Sequence, residues 1–462
     1  MKEILVADVV MGGGKSSGAQ TYCLENSHKK FVYIAPFLDE ASRFAQACAP
    51  LRFVEPQQIS DYNRSKILHI EHLIEHGRNV ATTHVAFSAL TKKTLEMIAE
   101  QEYELICDET VDAIKLDSVY VKDLLLLEKA GMLERDKDAY RFIGDDDYID
   151  GNSLYSDLCR LSRSNNVYFE SEVTANGKKE NYYYLLLPKE VFDVFSRVII
   201  LTYMFESSNL AGLLKIYDLP YQYIGVERVN YGNGYMLSKS GMYVPDYIYE
   251  LRNKIHVYEY DSNPIIGRGR PPKNLNQYKK KEGKLSPGFD FKPNFNFFKN
   301  SKENDHLIKE LKNNQDNFFE KIISQQGGSK EDCMWSTYEI GRKKMTGRGL
   351  QKKWVAFNTR ATNEYRNKKY ISYVVDLHLN RALTHFYDKH GIRYNEREWA
   401  LSTMIQFLWR SRLRNSEEIW LYLPAARMRE ILYEYLDNMS SGKIHGSMNV
   451  ELTKTDSKNK EE

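Results

Sequence analysis

The stretch that most restricts the fold stands at the start of the chain: Ile4-Leu-Val-Ala-Asp-Val-Val10, then Met11-Gly12-Gly13-Gly14-Lys15-Ser16-Ser17-Gly-Ala19. An apolar, β-branched run that breaks into glycines, a lysine and a serine, then resumes as helix formers, is a strand, a loop and a helix in succession. Such a loop wraps a polyphosphate in backbone N–H groups, the helix N-terminus adds its positive end, and a lysine supplies a point charge. The expected phosphate contacts are Gly12, Gly13, Gly14, Lys15, Ser16 and Ser17, with Ser16 placed to hold Mg²⁺. The strict form of the pattern wants glycine where Val9 stands. The looser form, small-x-x-Gly-x-Gly-Lys-Ser/Thr, needs only Gly12, Gly14, Lys15 and Ser16.

A cradle of this kind belongs to a parallel α/β sheet, and the next residues supply one. Lys30–Pro36 reads as a buried strand, Phe37–Ala47 as a helix, Leu51–Glu55 as a strand and Ser60–His76 as a helix. Asn79–His84 is a strand ending in hydroxyls, Ser88–Gln101 a helix, and Tyr103–Thr110 a strand ending in Asp108-Glu109. A carboxylate pair at the C-terminal edge of a buried parallel strand faces the crevice where open α/β sheets bind ligands. Asp108 is placed to hold Mg²⁺ and Glu109 to polarise an attacking water. Val198-Ile-Ile-Leu-Thr202 resumes the sheet and puts Thr202 at its end.

The expected organisation is a first domain of residues 1–110 and 196–209, interrupted by 111–195. In that insertion Val121–Glu134 has a helical leucine pattern, and Asn176-Gly177 joins two strands in a hairpin. It reads as decoration rather than as a winged DNA-binding element. A second domain spans 210–439, with a basic, aromatic and partly irregular insertion at 261–330. Gly267-Arg-Gly-Arg-Pro-Pro272, Lys279-Lys-Lys281 and Phe289–Lys299 either stack bases and bind phosphates or form a linker whose rings tuck inward. Lys352–Tyr365 reads as a strand, Ile371–His390 and Trp399–Leu413 as helices, Glu418–Pro424 as a strand, and 440–462 as a disordered tail.

Composition removes several classes. Of 462 residues 42% are hydrophobic and 28% charged, as in globular proteins, and the net charge of +2 argues for no particular partner. The five cysteines are scattered without C-x-x-C spacing, which points to a reducing cytoplasm and no zinc knuckle. The longest apolar runs fall far short of the roughly 18 residues of a membrane span. His72-Leu-Ile-Glu75-His76 has the spacing of an inverted zinc-protease motif, but on a helix inside this sheet it reads as a solvated face.

Gln406-Phe-Leu-Trp-Arg410-Ser-Arg412-Leu-Arg414 provides a second set of charges, on a helix before the last strand. Together these elements resemble a superfamily 2 helicase core, closest to bacteriophage helicase-type ATPases and origin-binding helicases. In that pattern Gly12–Ser16 is motif I, Pro36 lies in motif Ia, and Thr82, Thr83 and His84 form the next single-strand contact. Asp108-Glu109 is motif II, Thr202 the coupling position of motif III, and Gln406, Arg410 and Arg412 motif VI. The resemblance implies two RecA-like P-loop domains with parallel sheets, ATP and Mg²⁺ as cofactors, and hydrolysis completed by Arg410 or Arg412. It also implies a nucleic-acid partner, single-stranded or forked DNA first, touched by Thr362 and Asn363 as well. The setting it suggests is DNA replication in a phage-infected or bacterial cytoplasm, with replication proteins as further partners. Two rivals are a terminase-like packaging ATPase, for which Asp376 is the tempting nuclease carboxylate, and a nucleotide-gated origin-binding or loader protein.

Overall fold

The computed structural model describes residues 3–62, 64–136, 139–143, 166–173, 179–241, 243–258, 277–281, 284–358 and 364–443. The chain forms two compact units, Met1–Tyr243 with Asn380–Tyr394, and Val244–Leu379 with Asn395–Glu462.

The first unit is built on a seven-stranded sheet in the order β12-β11-β1-β10-β4-β2-β3. Its strands are β1 (Glu3–Asp8), β2 (Phe31–Ala35), β3 (Val80–Thr83), β4 (Glu104–Asp108), β10 (Arg197–Thr202), β11 (Gln222–Arg228) and β12 (Tyr235–Ser238). All neighbours run parallel except β11 and β12. The crossover helices are α1 (Lys15–Glu25), α2 (Leu38–Ala47), α3 (Lys66–Glu75), α4 (His84–Ser88) and α5 (Lys92–Glu100). Strands covered on both faces read as continuous apolar runs, so β2 is buried along its whole length and β1 from Ile4 onward. Tyr33, Phe44, Ala19 and Ile106 belong to the core they share with α1 and α2.

Three expectations are corrected in this unit. Leu51–Glu55 is not a strand: the chain makes a short 3-10 turn at Ala49–Leu51, and only Val54 bridges to Val80. The second domain does not open at residue 210, because β11 pairs with β1 and extends the first sheet. Residues 111–195 hold more than a helix and a hairpin: β5 (Ile114–Ser118), β6 (Leu133–Asp136), β7 (Ala139–Phe142), β8 (Val167–Val173) and β9 (Lys179–Leu186) form a five-stranded sheet beside α6 (Val121–Lys129). The turn Asn176-Gly177 lies outside the described residues.

The second unit has a four-stranded parallel sheet in the order β13-β18-β17-β16. Its strands are β13 (Ile255–Val257), β16 (Cys333–Ser336), β17 (Tyr370–Tyr373) and β18 (Ile419–Tyr422), while β14 (Gln277–Lys281) and β15 (Lys284–Asp290) pair by themselves. After α7 (Asn209–Ile216) in the first unit come α8 (Asp305–Gln326), α9 (Arg381–Lys389), α10 (Glu396–Leu408) and α11 (Ala426–Ser440). Ile308, Leu311, Phe318 and Ile322 of α8 pack with Trp335, Tyr370 and Tyr422. The same core takes Phe291 and Phe298, so these two rings of the basic aromatic stretch tuck inward. Residues 259–276, with the Gly267–Pro272 motif, are outside the described set. Tyr370–Tyr373 is an inner strand where a helix is expected, and Lys352–Lys353 sits in a 3-10 turn rather than a strand. Helix α9 belongs to the first unit although its chain neighbours belong to the second.

Candidate functional site

At the C-terminal end of β1 the backbone turns through two left-handed glycines, Gly12 with φ 77° and Gly14 with φ 81°. Both lie where a side chain would be strained. Gly13 is required by space instead, since a Cβ there would lie 2.5 Å from Val9 and 2.9 Å from the Val10 carbonyl oxygen. Gly14 precedes α1 without a side-chain cap, which leaves the first N–H groups of the helix directed at the loop. Lys15 Nζ donates to the carbonyls of Val9 at 2.6 Å and Val10 at 3.2 Å, closing the loop on itself. Burial pulls the Lys15 pKa below its ordinary value, and the Glu109, Asp108 and Asp8 carboxylates pull the other way.

Ser16 Oγ donates to Asp108 Oδ2 at 3.0 Å, which brings the hydroxyl that follows the glycine loop and the carboxylate at the end of β4 together. Tyr33 donates to that same oxygen at 2.6 Å, its ring stacked on Phe44 at 3.7 Å. Burial first and Asp108 second hold the Tyr33 phenol well above its ordinary pKa, so it remains a donor. A hydroxyl and a carboxylate at hydrogen-bond distance, beside a loop for phosphates, suit a hard divalent cation, and Ser16 with Asp108 would hold Mg²⁺. Glu109 follows with φ 62°, a left-handed conformation that is costly for a residue with a side chain. Its N–H bonds Leu201 O at 2.8 Å and its carbonyl accepts from Cys107 Sγ at 3.0 Å, so the strained turn is held from both sides.

Thr202 pairs with Asp8 across β10 and β1, and its carbonyl accepts from Val9 N at 3.1 Å. Beyond it, the buried Asp8 carboxylate accepts from the backbone N–H groups of Met204 at 2.8 Å and Phe205 at 3.0 Å. Met204 itself is left-handed, with φ 59°. The turn after β10 is thus tied to the end of β1, just before the glycine loop. Sequence reasoning missed Asp8 and Tyr33; the one available signal was a polar group inside each apolar strand.

Of the expected nucleic-acid contacts, Thr82 is 3% exposed and His84 8%. His84 Nε2 lies 2.9 Å from Asp108 O, and the Thr83 hydroxyl accepts from Ala86 N to cap α4. These side chains support the carboxylate strand and the turn into α4. What this edge presents outward is Pro36, half-buried, with Phe37 41%, Leu38 40% and Val85 79% exposed. Thr362 and Asn363 lie outside the described residues.

In the second unit, helix α10 stops at Leu408, so Arg410 and Arg412 sit in the turn and 3-10 segment that follow, not on the expected helix. Gln406 Nε2 lies 3.4 Å from Ser402 Oγ one turn back. Arg410 is 6% exposed. Arg412 pairs with Glu417 at 2.6 Å. Asp376 is buried and bound to Arg427 at 3.2 Å and His378 at 3.3 Å, while Arg427 also meets Glu396 at 3.1 Å. A carboxylate neutralised in this way is a structural ion pair rather than the metal ligand a nuclease needs. His72, Glu75 and His76 bring ligand atoms within 4.8 Å of one another at the end of α3, whereas His69 turns away to accept from Gln57 N. Among the described residues no helix is long and apolar enough to cross a membrane.

Residues 249–436 match the family model described as the YonV C-terminal Rossmann-like domain. The SPbeta prophage-derived protein YonV of Bacillus subtilis (strain 168) is 28% identical over 453 residues, covering 95% of this chain and 100% of that protein. Among solved structures, S. tokodaii Xpd4 aligns over 94% of each chain with a TM-score of 0.42 and 11% identity. A chain titled XPD_APO aligns over 94% of this chain and 95% of its own, with a TM-score of 0.44 and 11% identity. At those scores the chemistry has to be taken from this chain's own residues.

Proposed function

We propose that this chain is an ATP-dependent nucleic-acid translocase or helicase of the superfamily 2 type. The observation that carries the proposal is the Ser16 Oγ to Asp108 Oδ2 contact of 3.0 Å, formed beside Lys15 and a glycine loop. Backbone N–H groups of Gly12–Ser17 and the Lys15 ammonium receive the β and γ phosphates, which release Lys15 from the Val9 and Val10 carbonyls. Mg²⁺, held through Ser16 and Asp108, would neutralise charge on the phosphate oxygens. Tyr33 fixes the Asp108 carboxylate, and Glu109 orients the water that attacks the γ phosphate. Asp8 passes any shift of the loop to the turn after Thr202, the route by which hydrolysis is proposed to drive motion. The guanidinium that stabilises transition-state charge is proposed to be Arg410, with Arg412 second. Nucleic acid is proposed to cross the edge at Phe37 and Val85, bases stacking on the exposed ring. The prophage origin of YonV supports a phage DNA setting.

The test is ATP binding and turnover by the purified chain beside Lys15→Ala and Glu109→Gln. The expected result is turnover by wild type, loss of binding in the lysine variant, and binding without turnover in the glutamate variant. Wild-type binding without turnover would make the chain a nucleotide-gated loader instead.

A further inference from the structure

The hairpin of β11 and β12 extends the first sheet and packs back over α1. Asn233 N donates to Thr21 Oγ1 at 3.3 Å, and its amide donates to Gln20 Oε1 at 3.0 Å. A Cβ on Gly18 would lie 3.3 Å from Leu237 Cδ2 and 3.3 Å from the backbone at Met236 and Leu237, so the strand runs directly on the helix. This packing delivers Tyr235 to the phosphate loop. A Cβ on Gly14 would stand 2.3 Å from the Tyr235 ring, which means that the ring lies flat against the glycine preceding Lys15.

Tyr243 completes the arrangement. Its N–H donates to Val226 O at 2.6 Å, and its own carbonyl oxygen would lie 3.5 Å from a Cβ on Gly13. The ring centroids of Tyr235 and Tyr243 are 5.4 Å apart at 53°. Both residues are only half-buried. An aromatic pair with open surface stands directly beside the turn that would hold the phosphates. A core ring would be covered, and a surface ring would not need a glycine to approach it.

We propose that Tyr235, backed by Tyr243, is the platform on which the nucleotide's purine base stacks. The inference rests on Gly12–Ser16 being a triphosphate cradle and adds to it the residue that recognises the rest of the nucleotide. Stacking uses the π-face that every base carries, so the platform favours large bases without separating adenine sharply from guanine.

The test compares affinities for Mg²⁺–ATP and for Mg²⁺–tripolyphosphate, which has the phosphates and no base, in wild type, Tyr235→Ala and Tyr235→Phe. The expected result is about tenfold weaker ATP binding in the alanine variant, the scale of one base–aromatic stack. Tripolyphosphate affinity stays unchanged, and phenylalanine preserves ATP affinity. An equal loss for both ligands would make the ring a mere support for Gly14 and overturn the proposal. Unchanged or tighter ATP binding in the alanine variant would overturn it too. If wild type binds neither ligand, the cradle itself is wrong and the platform falls with it; binding of both with no effect of Tyr235 refutes the platform alone.

Discussion

Replacing Asp8 by alanine removes one side chain and loosens two elements that the proposed site needs together. The carboxylate is 5% exposed and takes hydrogen bonds from Met204 N at 2.8 Å and Phe205 N at 3.0 Å, in a turn that is itself buried. Hydrogen bonds to a charged group contribute about 1.5–3 kcal/mol each, and two amides left buried without an acceptor cost on that same scale. Partial relaxation of the turn brings the expected loss to about 3 kcal/mol. For a unit of this size each kcal/mol moves the melting temperature by about 2–4 °C, so the thermal transition of the first unit falls by about 6–12 °C. Asp8→Asn keeps one acceptor and loses about half as much. The assay is differential scanning fluorimetry with hydrogen exchange at the Met204 and Phe205 amides, whose protection falls in the alanine variant. A melting temperature within 1 °C of wild type, with those amides still protected, would show that the carboxylate does not hold the turn.

Further perturbations separate structure from chemistry. Tyr33→Phe deletes the 2.6 Å donor to Asp108 and is expected to weaken Mg²⁺-dependent nucleotide binding about tenfold in titration calorimetry, with folding retained. Asp376→Ala leaves Arg427 without its buried partner and is expected to cost about 3 kcal/mol in urea unfolding of the second unit while the chain still binds ATP. Loss of a metal-dependent nuclease activity in that variant would instead revive the packaging rival. Burial pushes the thiols of Cys48 and Cys333 up to about 12 from a usual 9. The folded chain therefore keeps protons that the unfolded chain releases, and the contribution is full below pH 9 and fades as pH rises toward 12. Alkylation of the native protein at pH 8.5 is expected to spare both cysteines, and rapid labelling of either would contradict their burial.

How far the sequence was legible differs between the two units, for physical reasons. In the first, β4 and β10 end on Asp108 and Thr202 and β1 runs on into the glycine loop, so Lys15, Ser16, Asp108, Glu109 and Thr202 stand out as candidates after apolar runs that stop abruptly. Asp8 and Tyr33 escaped because their partners, Met204 and Asp108, lie far off along the chain and only sheet pairing brings them near. In the second unit Tyr370–Tyr373 was expected to be a helix and Cys333–Ser336 was not expected at all. Both are four-residue strands buried on every side, without the alternation that marks a strand. The spacing of the arginines fits a helix, yet α10 ends at Leu408 and the chain turns before Arg410. Polar residues at a strand end are usually exposed, but here Thr82 is packed away and His84 meets the backbone of Asp108.

The proposed coupling ties ATP hydrolysis at Lys15, Asp108 and Glu109 to movement on nucleic acid. Steady-state ATP hydrolysis, measured without nucleic acid and then with single-stranded DNA, forked DNA and RNA, tests it most directly. Wild type is expected to show a low basal rate that rises at least tenfold with single-stranded or forked DNA, and Glu109→Gln to stay at background. A rate that no nucleic acid changes, or no hydrolysis under any of these conditions, would contradict it.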